Sequence, residues 1–343
     1  MSPEIKLIAL DLDGTLLNSQ HQMTERTERA LKAALEKGIQ VVLATGKTFV
    51  SGQHIIERLG LTTPGIYLQG LAIYNSDGSV RHQQKLDPEV ARQVVTYAEE
   101  RGFKLAAYSG RRILVRTLTR DVEILNEQYH EPKPEAVGPL QNILDDTPIN
   151  KLIAVQLDDP RRITALRWQL NAQLGSRAKL TQALSDMLEI LPPGASKGAA
   201  LKVLLRDMGV SPANVIAFGD GENDLEMLQL VGLGVAMGNA VQKLKDVASH
   251  VTGTNDEDGI AQALEKYIPA VAAALNPPVE VVAPETPKNE AKAEAENGAQ
   301  NERNTTSDNG TPNGTPNGTP APAAEQPTTD SAQPEPQPEA KSE

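Results

Sequence analysis

The stretch Leu7-Ile8-Ala9-Leu10-Asp11-Leu12-Asp13-Gly14-Thr15 decides how the chain is read. Its apolar run is too short for a helix, ends at a glycine, and reads as a strand buried on both faces. Side chains alternate along a strand, so Asp11 and Asp13 are expected to point the same way, about 7 Å apart. Two carboxylates aimed at one point repel each other unless a cation or a shared proton intervenes. A solvated acid pair at a strand end explains a lone Asp-x-Asp equally well, so the decision rests on the rest of the chain.

Outward from that stretch, strand and helix patterns alternate. Thr24 is the expected N-cap of a helix through Leu35, with Gly38 at its end. Ile39–Ala44 reads as a second strand, a helix runs to Leu59, and Ile66–Leu68 reads as a third strand. Alternation of this kind predicts parallel pairing with helices on both faces. Asn75-Ser76-Asp77-Gly78 marks a hairpin turn. Asp87-Pro88 opens a second region, an Asp N-cap followed by Pro at the first helical position. There, strands are expected at 104–108, 113–116, 152–157 and 187–190, and helices at 88–101, 119–129 and 161–174. Pro192-Pro193-Gly194 breaks the pattern. The first pattern then resumes with a helix from Lys197 to Met208, strands at 215–218 and 233–237, and a helix over Gly259–Tyr267.

The fold class is therefore α/β: a doubly wound, Rossmann-like parallel-sheet core formed by 1–84 and 188–272. A separate α/β unit over 85–187 is inserted into it. From 273 to 343 the sequence is an acidic tail dominated by Pro, Glu, Ala, Asn and Thr, expected to be disordered because it cannot bury enough apolar surface. No partner for it is legible. The formal net charge is −12, of which −8 lies in residues 276–343. The remaining mild balance argues against a nucleic-acid partner, which needs a clustered basic surface. There is no cysteine, which excludes disulfides, thiol nucleophiles and Cys-ligated metals. The N-terminal residues lack the pattern of a signal peptide, and no apolar run reaches the ~18 residues of a membrane span. A cytoplasmic protein with no membrane partner is expected.

Asp11, Thr45 and Asp220 each fall one or two residues past an apolar strand. In open parallel sheets ligands sit outside the carboxyl ends of the strands, so topology brings these three to one edge. Each one singly is explained as a helix N-cap; their joint placement is not. Magnesium takes oxygen ligands and needs only one or two carboxylates, which Asp11 and Asp220 can supply. Asp224, one turn further on, stands behind them to orient water, and Asn223 can offer its amide to a phosphate oxygen. Lys197, in Gly194-Ala195-Ser196-Lys197-Gly198, taken alone reads as a solvated charge at a helix start.

Four segments together resemble the haloacid dehalogenase superfamily, in its Cof-type phosphatase branch. They are Asp11-Leu12-Asp13-Gly14-Thr15, Gly194-x-Ser196-Lys197-Gly198, Phe218-Gly219-Asp220-Gly221-Glu222-Asn223-Asp224 and Gly234-Val235-Ala236-Met237-Gly238-Asn239-Ala240. The resemblance covers about residues 4–270 and implies that the inserted unit over 85–187 is a cap setting substrate specificity. It implies a magnesium-dependent phosphatase of small phosphorylated metabolites, sugar phosphates or phosphorylated cofactors, with Asp11 as nucleophile and Asp13 as general acid and base. It further implies the Asp13 carbonyl as a third metal ligand, Lys197 paired with Asp11 and the phosphate, and Thr45 and the Gly46 amide on the phosphate. A phosphomutase or phosphotransferase, or a phosphometabolite-binding regulator with vestigial activity, are the competing readings. Two positions depart from the family pattern. Lys47 stands where Arg is usual and lacks its bidentate fork, and Gln69 stands where Asn is usual, which puts a substrate-side contact in question.

Overall fold

In the computed structural model the described residues are 4–182 and 185–276. In chain order they begin with β1 (Leu7–Leu10), α1 (Glu25–Glu36), β2 (Gln40–Leu43) and α2 (Phe49–Leu59). Then come β3 (Gly65–Tyr67), β4 (Ala72–Tyr74), β5 (Val80–Gln83), α3 (Pro88–Glu100), β6 (Lys104–Ser109), β7 (Arg112–Val115) and α4 (Arg120–Glu127). After β8 (Glu135–Ala136) follow β9 (Lys151–Val155), α5 (Pro160–Leu174), β10 (Lys179–Thr181), β11 (Met187–Leu191) and α6 (Lys197–Met208). The chain closes with β12 (Val215–Gly219), α7 (Leu225–Leu230), β13 (Leu233–Ala236), α8 (Gln242–Lys245), β14 (His250–Val251), α9 (Gly259–Tyr267) and α10 (Pro269–Leu275).

Five strands make a parallel sheet in the order β14-β13-β12-β1-β2. β1 lies inside it, with Leu7 to Leu10 fully buried, which is why its run of four residues carries no polar alternation. Helices gather in two groups, α1 with α9 and α10, and α6 with α7. Thr24 caps α1 by accepting from the Thr27 amide, and Ser196 caps α6 through the Ala199 amide. The third strand departs from expectation. β3 touches the parallel sheet through a single bridge, Ala44 to Ile66, and pairs antiparallel with β4 in a separate three-stranded sheet with β5. With so short a return, a hairpin forms where a parallel neighbour would need a crossover.

The second region forms a mixed sheet ordered β10-β11-β9-β6-β7-β8. Its residues alternate between two cores. Leu105, Ala107, Leu152, Ala154, Leu188 and Ile190 pack with α3 and α5, whereas Ala106, Ile113, Ile153, Val155 and Met187 join the core of the parallel sheet. The expected core segment starting at 188 begins inside β11, which pairs with β9 and β10. Residues 188–191 thus belong with the mixed sheet, and the chain leaves it at the Pro192-Pro193 break. At the other end, α10 occupies 273–275, assigned from sequence to the tail. The remainder of that expectation, 277–343, lies outside the described residues. No helix among those described is long and apolar enough to cross a membrane.

Candidate active site

The strand ends of β1 and β12 are neighbours in the parallel sheet, and this adjacency builds the site. β1 stops at Leu10, so Asp11 sits just past the strand and the chain turns at once. Thr15 N–H donates to the Leu12 carbonyl, and Leu16 N–H to the Asp11 carbonyl. Strand alternation therefore does not govern Asp11 and Asp13, contrary to the sequence expectation. The Asp11 carboxylate is buried and the Asp13 side chain is 40% exposed, facing a different set of partners.

Lys197, the first residue of α6, is 1% exposed rather than solvated. Its Nζ lies 2.8 Å from Asp11 Oδ1 and 2.8 Å from Asp224 Oδ1. Asp224 uses its other oxygen to accept from the Asp220 and Gly221 amides, at 3.1 and 3.0 Å. Asp220 Oδ1 accepts from the Thr15 hydroxyl at 2.9 Å. Gly14 permits this approach. A Cβ there would stand 2.3 Å from Asp220 Oδ2, and its φ of +70° is a conformation that side chains disfavour. The Asn239 amide donates to the Gly14 carbonyl at 2.8 Å and so fixes the turn, a role its place in the fourth motif did not signal.

Ligand oxygens of Asp11, Asp220 and Asp224 lie within 4.8 Å of one another. Three carboxylates against one ammonium leave two negative charges in excess. Burial holds Asp11 well above the usual carboxylate range, and Asp224 and Asp220 add to it against the pull of Lys197. Burial likewise lifts Asp220 to about 6; the Asp224 charge adds to that, while the Thr15 hydrogen bond opposes it. Burial alone would lower Lys197, but Asp11 and Asp224 outweigh it and raise its pKa above the ordinary value. A divalent, oxygen-seeking cation fits this donor set. Asp224 has both oxygens engaged within the protein. Asp11 Oδ2 and Asp220 Oδ2 accept no hydrogen bond among the described residues.

The remaining sequence-assigned residues surround this group. Thr45 is buried; its hydroxyl oxygen accepts from the Lys47 amide at 3.1 Å. Gly46 lies so close to Gln69 that a Cβ would come within 2.6 Å of the Gln69 amide nitrogen. Asn223, assigned from sequence to a phosphate, instead donates to Gln69 Oε1 at 3.1 Å. Lys47 places its ammonium 2.7 Å from Asp13 Oδ1, with His21 Nδ1 at 3.6 Å from the same oxygen. The departure from Arg thus meets Asp13 directly.

Sequence reasoning missed a second set. Lys151 on β9 and Glu189 on β11 form a buried ion pair at 2.6 Å, and Lys151 Nζ is 3.3 Å from the Gly46 carbonyl. Glu131, after α4, accepts from the Thr48 amide and hydroxyl and from Ser51, closing the N-terminus of α2. No local signal marks either, since Lys151 and Glu189 are 38 residues apart and Glu131 and Thr48 are 83 apart.

The haloacid dehalogenase-like hydrolase family matches residues 8–264. The chain belongs to that family. It is 34% identical to an HMP-PP phosphatase of Enterobacter sp. (strain 638), over 72% of this chain and 89% of that one. It is also 40% identical to a chloroplastic protein of Arabidopsis thaliana named endoribonuclease YBEY, over 77% of this chain. The match spans 47% of that relative's length. A crystal structure from Thermotoga maritima superposes with a TM-score of 0.71 at 28% identity, covering 76% of this chain and 97% of that one. By class the enzyme is a phosphoric monoester hydrolase.

Proposed function

We propose that the chain is a magnesium-dependent, cytoplasmic phosphatase that hydrolyses small phosphorylated metabolites through an aspartyl-phosphate on Asp11. The observation that carries this reading is Lys197, buried and equidistant from Asp11 and Asp224 beside an uncompensated Asp220. Lys197 pulls against the burial that raises the Asp11 pKa and so favours the ionised carboxylate, whose oxygen attacks phosphorus. Asp13, reachable from solvent, donates a proton to the departing oxygen and then takes one from the attacking water. The Lys47 pair and His21 orient its carboxylate. Thr45, the Gly46 amide and Asn223 bind phosphoryl oxygens, with Asn223 leaving Gln69 to do so.

Asp11, the Asp13 carbonyl and Asp220 would hold the magnesium ion, with Asp224 behind them. The ion supplies charge neutralisation for the phosphoryl group. The unit over 85–187 acts as the cap, excluding bulk water and large phosphoproteins. The test is Asp11→Asn with p-nitrophenyl phosphate and magnesium. Turnover should fall by at least ~10⁴-fold with the thermal transition retained, as expected when a nucleophile is removed. Retained turnover would remove Asp11 from the role.

A further inference from the structure

Asp13 is flanked by two basic side chains, and both lead back to consecutive residues of the region that carries the mixed sheet. Its Oδ1 faces the Lys47 ammonium at 2.7 Å and His21 Nδ1 at 3.6 Å. The His130 ring stands edge-on to the His21 ring, with centres 4.4 Å apart and planes at 77°. His21 and His130 both hold φ in the left-handed region, +56° and +52°. Strain of that kind persists where the surrounding structure fixes it, and it clusters at functional sites. Glu131 comes next. Its Oε2 accepts from the Thr48 amide at 3.2 Å, the Thr48 hydroxyl at 2.8 Å and the Ser51 hydroxyl at 2.7 Å. The peptide between Lys47 and Thr48 is thereby fixed at both ends, because the Lys47 carbonyl accepts from the Leu68 amide at 2.9 Å. A planar peptide held by its N–H and its C=O gives the Lys47 side chain a fixed root from which to reach Asp13.

Glu131 is buried and pairs with no lysine or arginine among the described residues. Burying a carboxylate without a cation is costly unless hydrogen bonds satisfy it. Thr48, the N-cap of α2, makes no side-chain bond to its own helix and gives its hydroxyl to Glu131 instead. The Glu131 backbone is in turn fastened to α4, its N–H donating to the Leu125 carbonyl and its carbonyl accepting from Asn126 at 2.6 Å. Successive residues after α4 therefore back both groups that face the Asp13 carboxylate. This bears on proton transfer. As an Asp11 oxygen bonds to phosphorus, the P–O bond to the leaving group breaks and its electron pair stays on the ester oxygen. That oxygen takes the proton of Asp13, and the carboxylate left behind faces Lys47 and His21. Groups placed beforehand where charge develops need no reorganisation at that moment.

We propose that Glu131 and His130 are positioning residues for the proton that Asp13 delivers: Glu131 sets Lys47 through Thr48, and His130 sets His21. This rests on the phosphatase reading above. The test is kcat/KM of the full chain with magnesium on phenyl phosphate and on p-nitrophenyl phosphate. The two share the phosphoryl group, but phenol is the weaker acid and needs the proton more in order to leave. Because kcat/KM measures the barrier from free enzyme and substrate, the later base role of Asp13 on water stays out of the ratio. Asp13→Asn sets the scale and should lower phenyl phosphate ~100-fold or more beyond its effect on p-nitrophenyl phosphate. Glu131→Ala should split the two esters in the same direction by ~10-fold or more, and His130→Ala by ~3-fold. Glu131→Gln keeps one accepting oxygen for the Thr48 and Ser51 donors and should hold the ratio within ~2-fold of wild type. Equal losses on the two esters in both alanine variants, as contacts that only fasten the regions together would give, overturn the inference. A glutamine variant no better than alanine overturns it too. Should Glu131→Ala fail to fold, His130→Ala decides alone, since His130 is exposed and its ring is dispensable for packing. An unmoved ratio in Asp13→Asn removes the proton donor and this inference with it, while Asp11→Asn still tests the phosphatase reading separately. Wild type inactive on both esters would take down both readings.

Discussion

Two buried lysines stand on the two sides of this site, and their surroundings differ in one respect. Lys197 is one ammonium among three carboxylates, whereas Lys151 is matched one to one by Glu189. The first arrangement is electrically incomplete, and burial there lifts the pKa values of Asp11 and Asp220. The second is balanced and spends its remaining hydrogen-bonding capacity on neutral groups. An incomplete cluster favours binding of a cation, while a balanced pair does not.

The comparison is broken most severely by Lys197→Met. Removing the one ammonium leaves buried carboxylates unpaired, and the metal-free protein should lose about 3–5 kcal/mol of stability in urea unfolding. Added magnesium should recover part of that loss and none of the turnover. If the loss is below 1 kcal/mol, Lys197 does not hold the cluster together. Gly14→Ala comes next. It forces a Cβ against Asp220 at a positive φ, so magnesium affinity measured by calorimetry should drop about 10–100-fold, with a stability loss of about 1–2 kcal/mol.

A third test uses pH. Asp220 has a folded-state pKa raised to about 6 from the usual 3.8, so its stabilising contribution is present at low pH and fades as pH rises through about 6. Magnesium binds the ionised form. The gain in Tm on adding magnesium should therefore be small at about pH 5 and grow as pH passes about 6. Taking the difference with and without metal removes contributions from groups that do not touch the metal, and Asp11, raised in the same direction, steepens the same trend. A metal-induced gain that is flat across this range would separate Asp220 from the metal.

The smallest effect sharpens the contrast. Replacing the whole balanced pair, Lys151→Met with Glu189→Leu, should change stability by no more than about 1 kcal/mol, because exchanging a buried ion pair for apolar groups is often neutral. A loss of several kcal/mol would show that the pair holds the structure together in a way that apolar groups cannot replace.

The alternation of short apolar strands with capped helices was readable along the chain, because burial on both faces removes the polar alternation from β1 and β12. Placing Asp11, Thr45 and Asp220 at strand ends followed from topology alone. The turn after Leu10 was not readable: strand periodicity extended too far and aimed Asp13 beside Asp11. Nor did the pattern foresee β3 turning back on β4, since a three-residue strand carries the same apolar signature whether its neighbour is parallel or antiparallel. Lys197 illustrates the boundary most sharply. By local sequence it is a charged residue at a helix start; in the fold it is almost wholly enclosed.

What the sequence determined by itself was therefore the chemistry available: four acids, a lysine and a threonine, each tied to the end of an element by local propensity and hydrophobic period. Which charge faces which was decided only by tertiary structure. Lys47 with Asp13, Lys151 with Glu189, and Glu131 on the N-terminus of α2 are pairs made between elements distant in the chain. Electrostatic energy depends on distance and on exclusion of water, and neither quantity is written in the local order of residues.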